Sequence, residues 1–129
     1  MRRKNNMIFG IGTDLIEVER VENSYKKEAF RNKIYTKQEQ NLIDGKAQRA
    51  AGNFAVKEAV VKAFGTGFGK IAPIEIEVLR EKSGKPYVVL YGEAKKMQQE
   101  VQVIKIHVSI SNIKEYATAY VVMECENNG

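Results

Sequence analysis

The stretch FAVKEAVVKAFGTG, Phe54 to Gly67, is apolar enough to be core, yet it carries Lys57, Glu58 and Lys62 and stops on two glycines. A solvated helix gathers its charges on one face opposite an apolar stripe. Here, at 100° per residue, Glu58 projects between Phe54 and Ala51, with Val61 and Lys62 close on either side. The arc expected to pack therefore contains a carboxylate, and a carboxylate in packed surroundings needs a cation or a metal to offset its desolvation. The bland alternative is an i,i+4 pair between Glu58 and Lys62, worth about 0.3–0.5 kcal/mol when exposed.

Outward from this stretch, a helix is predicted from about Lys46 to Phe64 with Gly65 as its C-terminal cap. Before it, Thr36 and Glu39 form a capping box for a short helix through about Ile43, ended by Asp44-Gly45. Further upstream, LIEVERVENSYKKEAF reads as one amphipathic helix with Val18, Val21 and Tyr25 on its apolar side. Met7 to Thr13 reads as a strand, and by two-residue parity Asp14 shares a face with Gly10 and Gly12. Asp14 and Glu17 could alternatively serve as the capping pair of the next helix.

Downstream, Ile74 to Tyr91 reads as a hairpin whose first strand, IEIEVLR, has one wet face, with KSGKP as its turn. GEAKKMQQE is a polar surface helix. Ile104, Ile106, Val108 and Ile110 alternate with Lys105, His107, Ser109 and Ser111, and a turn at Asn112 to Lys114 leads into YATAYVVME. Helices interspersed with antiparallel strands indicate an α+β fold, an antiparallel sheet packed on a long central helix.

The chain of 129 residues fits one domain. Residues 7–125 are expected to form it, with 1–6 a flexible basic extension and 126–129 a flexible tail. With 43% hydrophobic and 29% charged residues, neither disorder nor a fibrous architecture is indicated. The single Cys125 excludes an internal disulfide and suits a reducing cytoplasm. Asp14 interrupts the N-terminal apolar run before a signal peptide can develop, and no stretch is long enough to cross a bilayer. The net charge of +5 points to an acidic or phosphorylated partner.

Neither glycine cluster is a nucleotide fingerprint. GIGTD lacks the third glycine of a dinucleotide loop, and GTGFGK lacks the P-loop spacing and follows a helix instead of feeding one, although its amides could line a phosphate. His107 reads as a sheet residue on the wetter face. A small basic nucleic-acid-binding module is the competing reading, but there is no recognisable RNA motif, the lysines are scattered, and the aromatics mostly take core positions.

GIGTDLIEVER, AGNFAVKEAVVKAFGTG, GKP and HVSISN…EYATAYVV, in this order and within this length, resemble the bacterial holo-(acyl-carrier-protein) synthases. The resemblance implies an α+β homotrimer with active sites between subunits. It also implies transfer of 4′-phosphopantetheine from coenzyme A to a serine of apo-acyl carrier protein, with release of adenosine 3′,5′-bisphosphate, in fatty acid biosynthesis. By similarity Asp14 and Glu58 would hold Mg²⁺, and Lys62, the third catalytic residue, would meet the pyrophosphate. Gly65 and Gly67 would let the backbone approach it. A metal-bound water, or Glu58 through a water, would take the serine proton.

Gly84, Lys85 and Pro86 match the family turn that flanks the nucleotide, and Ser111 belongs to the same coenzyme A set. Asn53 and Asn112 stand where the family commonly carries an arginine and a histidine associated with the nucleotide phosphates; Lys46 or Arg49 lies near enough in sequence to supply a missing charge. Arg20, Lys26, Lys27 and Arg31 would meet the acidic carrier, although by themselves the lysines and Arg31 read as a solvated edge. A relative that binds the carrier without turnover is the other alternative.

Overall fold

A computed structural model describes residues 5–127. Strand β1 (Asn5–Glu17) is followed by α1 (Val18–Tyr25), α2 (Glu28–Ile34), α3 (Lys37–Ile43) and the long α4 (Ala47–Phe64). A 3₁₀ turn (Pro73–Glu75) leads into the hairpin β2 (Ile76–Arg80) and β3 (Pro86–Leu90). Then come α5 (Gly92–Glu100), β4 (Val103–Asn112) and β5 (Tyr116–Asn127). β5 lies between β1 and β4 in an antiparallel sheet, and β2 and β3 pair separately. The α+β architecture is thus as the sequence predicts. β1 and β5 take in Asn5, Asn6, Glu126 and Asn127, which the expected tails included; the rest of those tails, residues 1–4 and 128–129, lies outside the described residues.

One face of the three-stranded sheet is sealed by α4. Gly10, Gly12 and Asp14 share that face with Met123, Val121 and Ala119 of β5, their partners in register. A side chain at Gly10 or Gly12 would collide with the backbone carbonyls of Ala63 and Ala59 on α4. The glycines thus let strand and helix backbones approach, which brings Asp14 beside α4. Ala55, Val56, Ala59 and Val60 are fully buried between the sheet and the β2–β3 hairpin. Each valine contributes about 1.5–3 kcal/mol of burial. A second core joins Val18, Val21, Ile34, Tyr35 and Ile43 under the short helices.

The opposite face of the sheet is open. Ile11 is 70% exposed, Leu15 68% and Tyr120 60%, and by register they stand in adjacent rows with Val122, Thr118 and Thr13. Tyr116, Tyr87 and Tyr91 are exposed too, so the aromatics are less confined to the core than the sequence suggests.

Local signals hold where the partner is local. Thr36 and Glu39 form the predicted capping box, Asp44 takes the left-handed conformation at the end of α3, and Gly65 does so after α4. The predicted single helix over Leu15–Phe30 is two. β1 keeps its pairing with β5 through Glu17, so α1 starts at Val18 and Asp14 caps nothing. Lys26 and Lys27 then separate α1 from α2. The face of β2 expected to be wet holds Glu77, which is 4% exposed and accepts from the Thr36 hydroxyl at 2.6 Å and the Tyr91 hydroxyl at 2.9 Å. A register shift between Val103 and Lys105 leaves Ile104 outside the alternation and exposed.

Candidate active site

The strand–helix approach at Gly12 sets Asp14 against the outer edge of α4. There Lys62 Nζ donates to Asp14 Oδ1 at 2.9 Å and to the Thr13 carbonyl at 3.0 Å. Glu58, one turn earlier on α4, is half-buried on the same edge. A cleft of about 510 Å³ is lined by Asp14, Glu58, Lys62, Arg20, Phe54 and Tyr116, among others. The three residues expected to be catalytic therefore converge in one cleft, with Arg20 on its wall. Lys62 reaches across to Asp14, so the i,i+4 pairing with Glu58 is not the arrangement adopted.

The Glu58 carboxyl is pushed above the usual range, first by burial and then by the negative charge of Asp14, with Lys62 opposing. Two neighbouring carboxylates, one of them paired with the exposed Lys62 ammonium, make an acidic site open to a cation. Among the described residues no group of three or more His, Cys, Asp or Glu side chains comes together. Mg²⁺ is an ion that takes one or two carboxylates and keeps waters or phosphate oxygens for the rest, so Asp14 and Glu58 are the residues that could hold it.

The fully buried ion of α4 is Lys57, not Glu58. Lys57 is 0% exposed and donates to Glu39 Oε1 at 2.8 Å, to the Pro73 carbonyl at 3.0 Å and to the Ile76 carbonyl. Its ammonium also lies 5.5 Å from the centre of the Tyr35 ring. Glu39 is 0% exposed and binds Asn53 Nδ2 with its other oxygen at 3.0 Å. Burial pulls the Lys57 pKa down and pushes that of Glu39 up, and their mutual attraction opposes both shifts. A lysine inside a run of alanines and valines was the available sequence signal. Its partner, 18 residues away on another helix, left none.

Asn53 corrects the sequence expectation. It is 0% exposed and donates to Glu39 and to the Val78 carbonyl, while its oxygen accepts from Arg80 at 3.0 Å. Every polar atom of its side chain is engaged inside the protein, so it offers a nucleotide nothing directly. The loop after α4 also differs from expectation. The amides of Gly65 and Thr66 close the helix onto Val61, so those two are not free to line a phosphate. Gly65 and Gly67 have positive φ with open space around them, which explains glycine at both.

Gly84 and Lys85 lie in the exposed hairpin turn and Pro86 opens β3, Ser111 lies on the open sheet face, and Asn112 ends β4. None of these lines the cleft of Asp14, Glu58 and Lys62, and neither does Asn53. Five residues apart on α4, Asn53 and Glu58 point about 140° away from each other. The basic cluster divides as well. Arg20, Lys26 and Lys27 are exposed, but Arg31 donates to the carbonyls of Tyr25 and Lys26 at 2.8 and 3.1 Å and lies over the Tyr25 ring, closing the end of α1.

The family model described as the 4′-phosphopantetheinyl transferase superfamily matches residues 10–121. The chain is 59% identical over 118 residues to the holo-[acyl-carrier-protein] synthase of Lachnoclostridium phytofermentans, covering 92% of this chain and 97% of that one. It is similar to the crystal structure of a holo-(acyl-carrier-protein) synthase from Bacillus anthracis in complex with CoA (3′,5′-ADP). That match has 38% identity and a TM-score of 0.77, and covers 92% of this chain and 98% of that one. The Helicobacter pylori holo-[acyl-carrier-protein] synthase in complex with coenzyme A is 28% identical with a TM-score of 0.80, over 88% of this chain and 98% of that one.

Proposed function

The chain belongs to the 4′-phosphopantetheinyl transferase superfamily, as one of its holo-[acyl-carrier-protein] synthases, and on that premise we propose that it transfers 4′-phosphopantetheine from coenzyme A to a serine of apo-acyl carrier protein. The observation that carries this reading is the convergence of Asp14, Glu58 and Lys62 in one cleft beside the exposed Arg20. In the proposed step the serine oxygen bonds to the phosphorus that bears pantetheine. The pyrophosphate P–O bond breaks, and adenosine 3′,5′-bisphosphate leaves with the electron pair. Asp14 and Glu58 would hold Mg²⁺. When bound there, the ion supplies positive charge against the pyrophosphate oxygens.

The protein's own groups do the rest. Lys62 meets the pyrophosphate as a point charge, moving from Asp14 toward the donor. Glu58, acting through a water, takes the serine proton. Mass spectrometry of the carrier before and after incubation with coenzyme A tests the reaction. The pathway we assign is fatty acid biosynthesis in the cytoplasm; no helix among the described residues is long and apolar enough to cross a membrane.

The distribution of the remaining expected residues supports a homotrimer with sites between subunits. The hairpin turn, Ser111 and Asn112 lie away from the Asp14–Glu58 cleft, so one donor can meet both groups only if a neighbouring copy brings the second. The open face carrying Ile11, Leu15 and Tyr120 is the surface for that contact. Sedimentation should give three copies per particle, and Leu15→Asp with Tyr120→Asp should yield monomers with little transfer activity. A fully active monomer would contradict this assembly.

The exposed cations Arg20, Lys26 and Lys27 are the proposed contact for an acidic carrier. Lys26→Glu with Lys27→Glu should raise the KM for the carrier and flatten its dependence on salt, with the KM for coenzyme A little changed. An unchanged carrier KM at low salt would make the pair a solvated edge.

A further inference from the structure

Arg80 is a half-buried cation at the end of β2, and no carboxylate among the described residues forms an ion pair with it. Its guanidinium donates to the Leu79 carbonyl at 3.2 Å and to Asn53 Oδ1 at 3.0 Å. Glu39, the acid whose charge acts on it, is already engaged by Lys57, by the Thr36 amide at 3.1 Å and by Asn53. Asn53 therefore stands as a neutral link between a satisfied buried carboxylate and a guanidinium with no direct ion pair, and it fixes the direction of that guanidinium.

Arg49 adds a second cation. It is exposed and donates to the Leu42 carbonyl at 3.0 Å; burial pulls the Arg80 pKa down, the charge of Glu39 opposes this, and that of Arg49 adds a smaller downward push. Arg80 also forms the last rung of the hairpin with Pro86, directly before the turn that carries Lys85 and the positive-φ Gly84. A planar fork with N–H groups left over and no direct ion-pair partner among the described residues is suited to a phosphate monoester, which it can bind through two parallel hydrogen bonds.

The structure assigns to Arg80, oriented by Asn53, the recognition of the 3′-phosphate on the donor nucleotide. This rests on coenzyme A being the donor and on the GKP turn flanking its nucleotide. Where relatives commonly carry an arginine at position 53, this chain keeps the guanidinium but mounts it on the neighbouring strand. The half-buried phosphate-reading charge then needs no arginine inside the core, where Asn53 is packed against Glu39.

The test compares coenzyme A with 3′-dephospho-coenzyme A as donors, using the full chain with Mg²⁺ and apo-carrier. Arg80→Gln should lower the selectivity for coenzyme A, read as the ratio of the two KM values, by about ten- to a hundredfold, the range for losing hydrogen bonds to a charged group. Arg80→Lys should restore part of it. Calorimetric titration without turnover gives an independent readout. Arg80→Gln should weaken binding of adenosine 3′,5′-bisphosphate and leave that of adenosine 5′-phosphate unchanged, with thermal melting confirming that the variant is folded. Equal weakening of both nucleotides, or an unchanged KM ratio in an enzyme that turns over coenzyme A, would overturn the assignment of Arg80 alone. Absence of transfer by the unmodified chain would overturn the functional reading and the assignment with it.

Discussion

Asp14→Ala and Glu58→Ala should each lower transfer by at least about a hundred- to a thousandfold, the range for removing one preorganised electrostatic group, while leaving the fold intact. The fold should survive because neither side chain holds an element in place. Asp14 lies inside a strand with its backbone paired to β5, and its one side-chain partner, Lys62, is exposed and can be solvated. Glu58 is half-buried with its carboxyl already disfavoured there, so its removal orphans no buried cation. The double variant should be little worse than either single one, because two ligands of one ion act as a unit. Full activity of Asp14→Ala at saturating Mg²⁺ would remove Asp14 from the proposed metal site.

The second large effect concerns stability. Lys57→Met should lower the free energy of unfolding by about 3–5 kcal/mol, because it leaves the Glu39 carboxylate buried without its cation. That is a large part of the roughly 5–15 kcal/mol available to a domain. The deficit should depend on pH with a definite sign. Without Lys57 the folded-state pKa of Glu39, already pushed up by burial, rises further above its unfolded value. A carboxyl shifted in that direction favours the fold when protonated. The variant should therefore recover stability toward acidic pH and lose it as pH rises through the folded pKa. Denaturant melts at several pH values check this. A loss below about 1 kcal/mol, independent of pH, would show that Glu39 finds other compensation.

How far the sequence could be read follows from where each residue finds its partner. The Thr36–Glu39 box and the glycine after Phe64 were legible because their partners lie within one turn. Gly10 and Gly12 marked a close backbone approach, though only the fold shows that α4 makes it. The charges of α4 posed the right question and half of its answer. Periodicity placed Glu58 in the packed arc, whereas the adjacent Lys57 takes the fully buried position and Glu58 the edge of the cleft. That hundred-degree difference is decided by which faces the sheet and hairpin cover. Asn53 was misread for the same reason. Its three partners come from α3 and β2, and no local pattern announces them.

Incubation of the chain with apo-acyl carrier protein, coenzyme A and Mg²⁺, followed by the intact mass of the carrier, tests the central claim most directly. The prediction is a mass gain equal to one phosphopantetheine on a single serine, matched by an equal amount of adenosine 3′,5′-bisphosphate. A carrier that binds the chain yet keeps its original mass would contradict transfer and leave a carrier-binding relative without turnover.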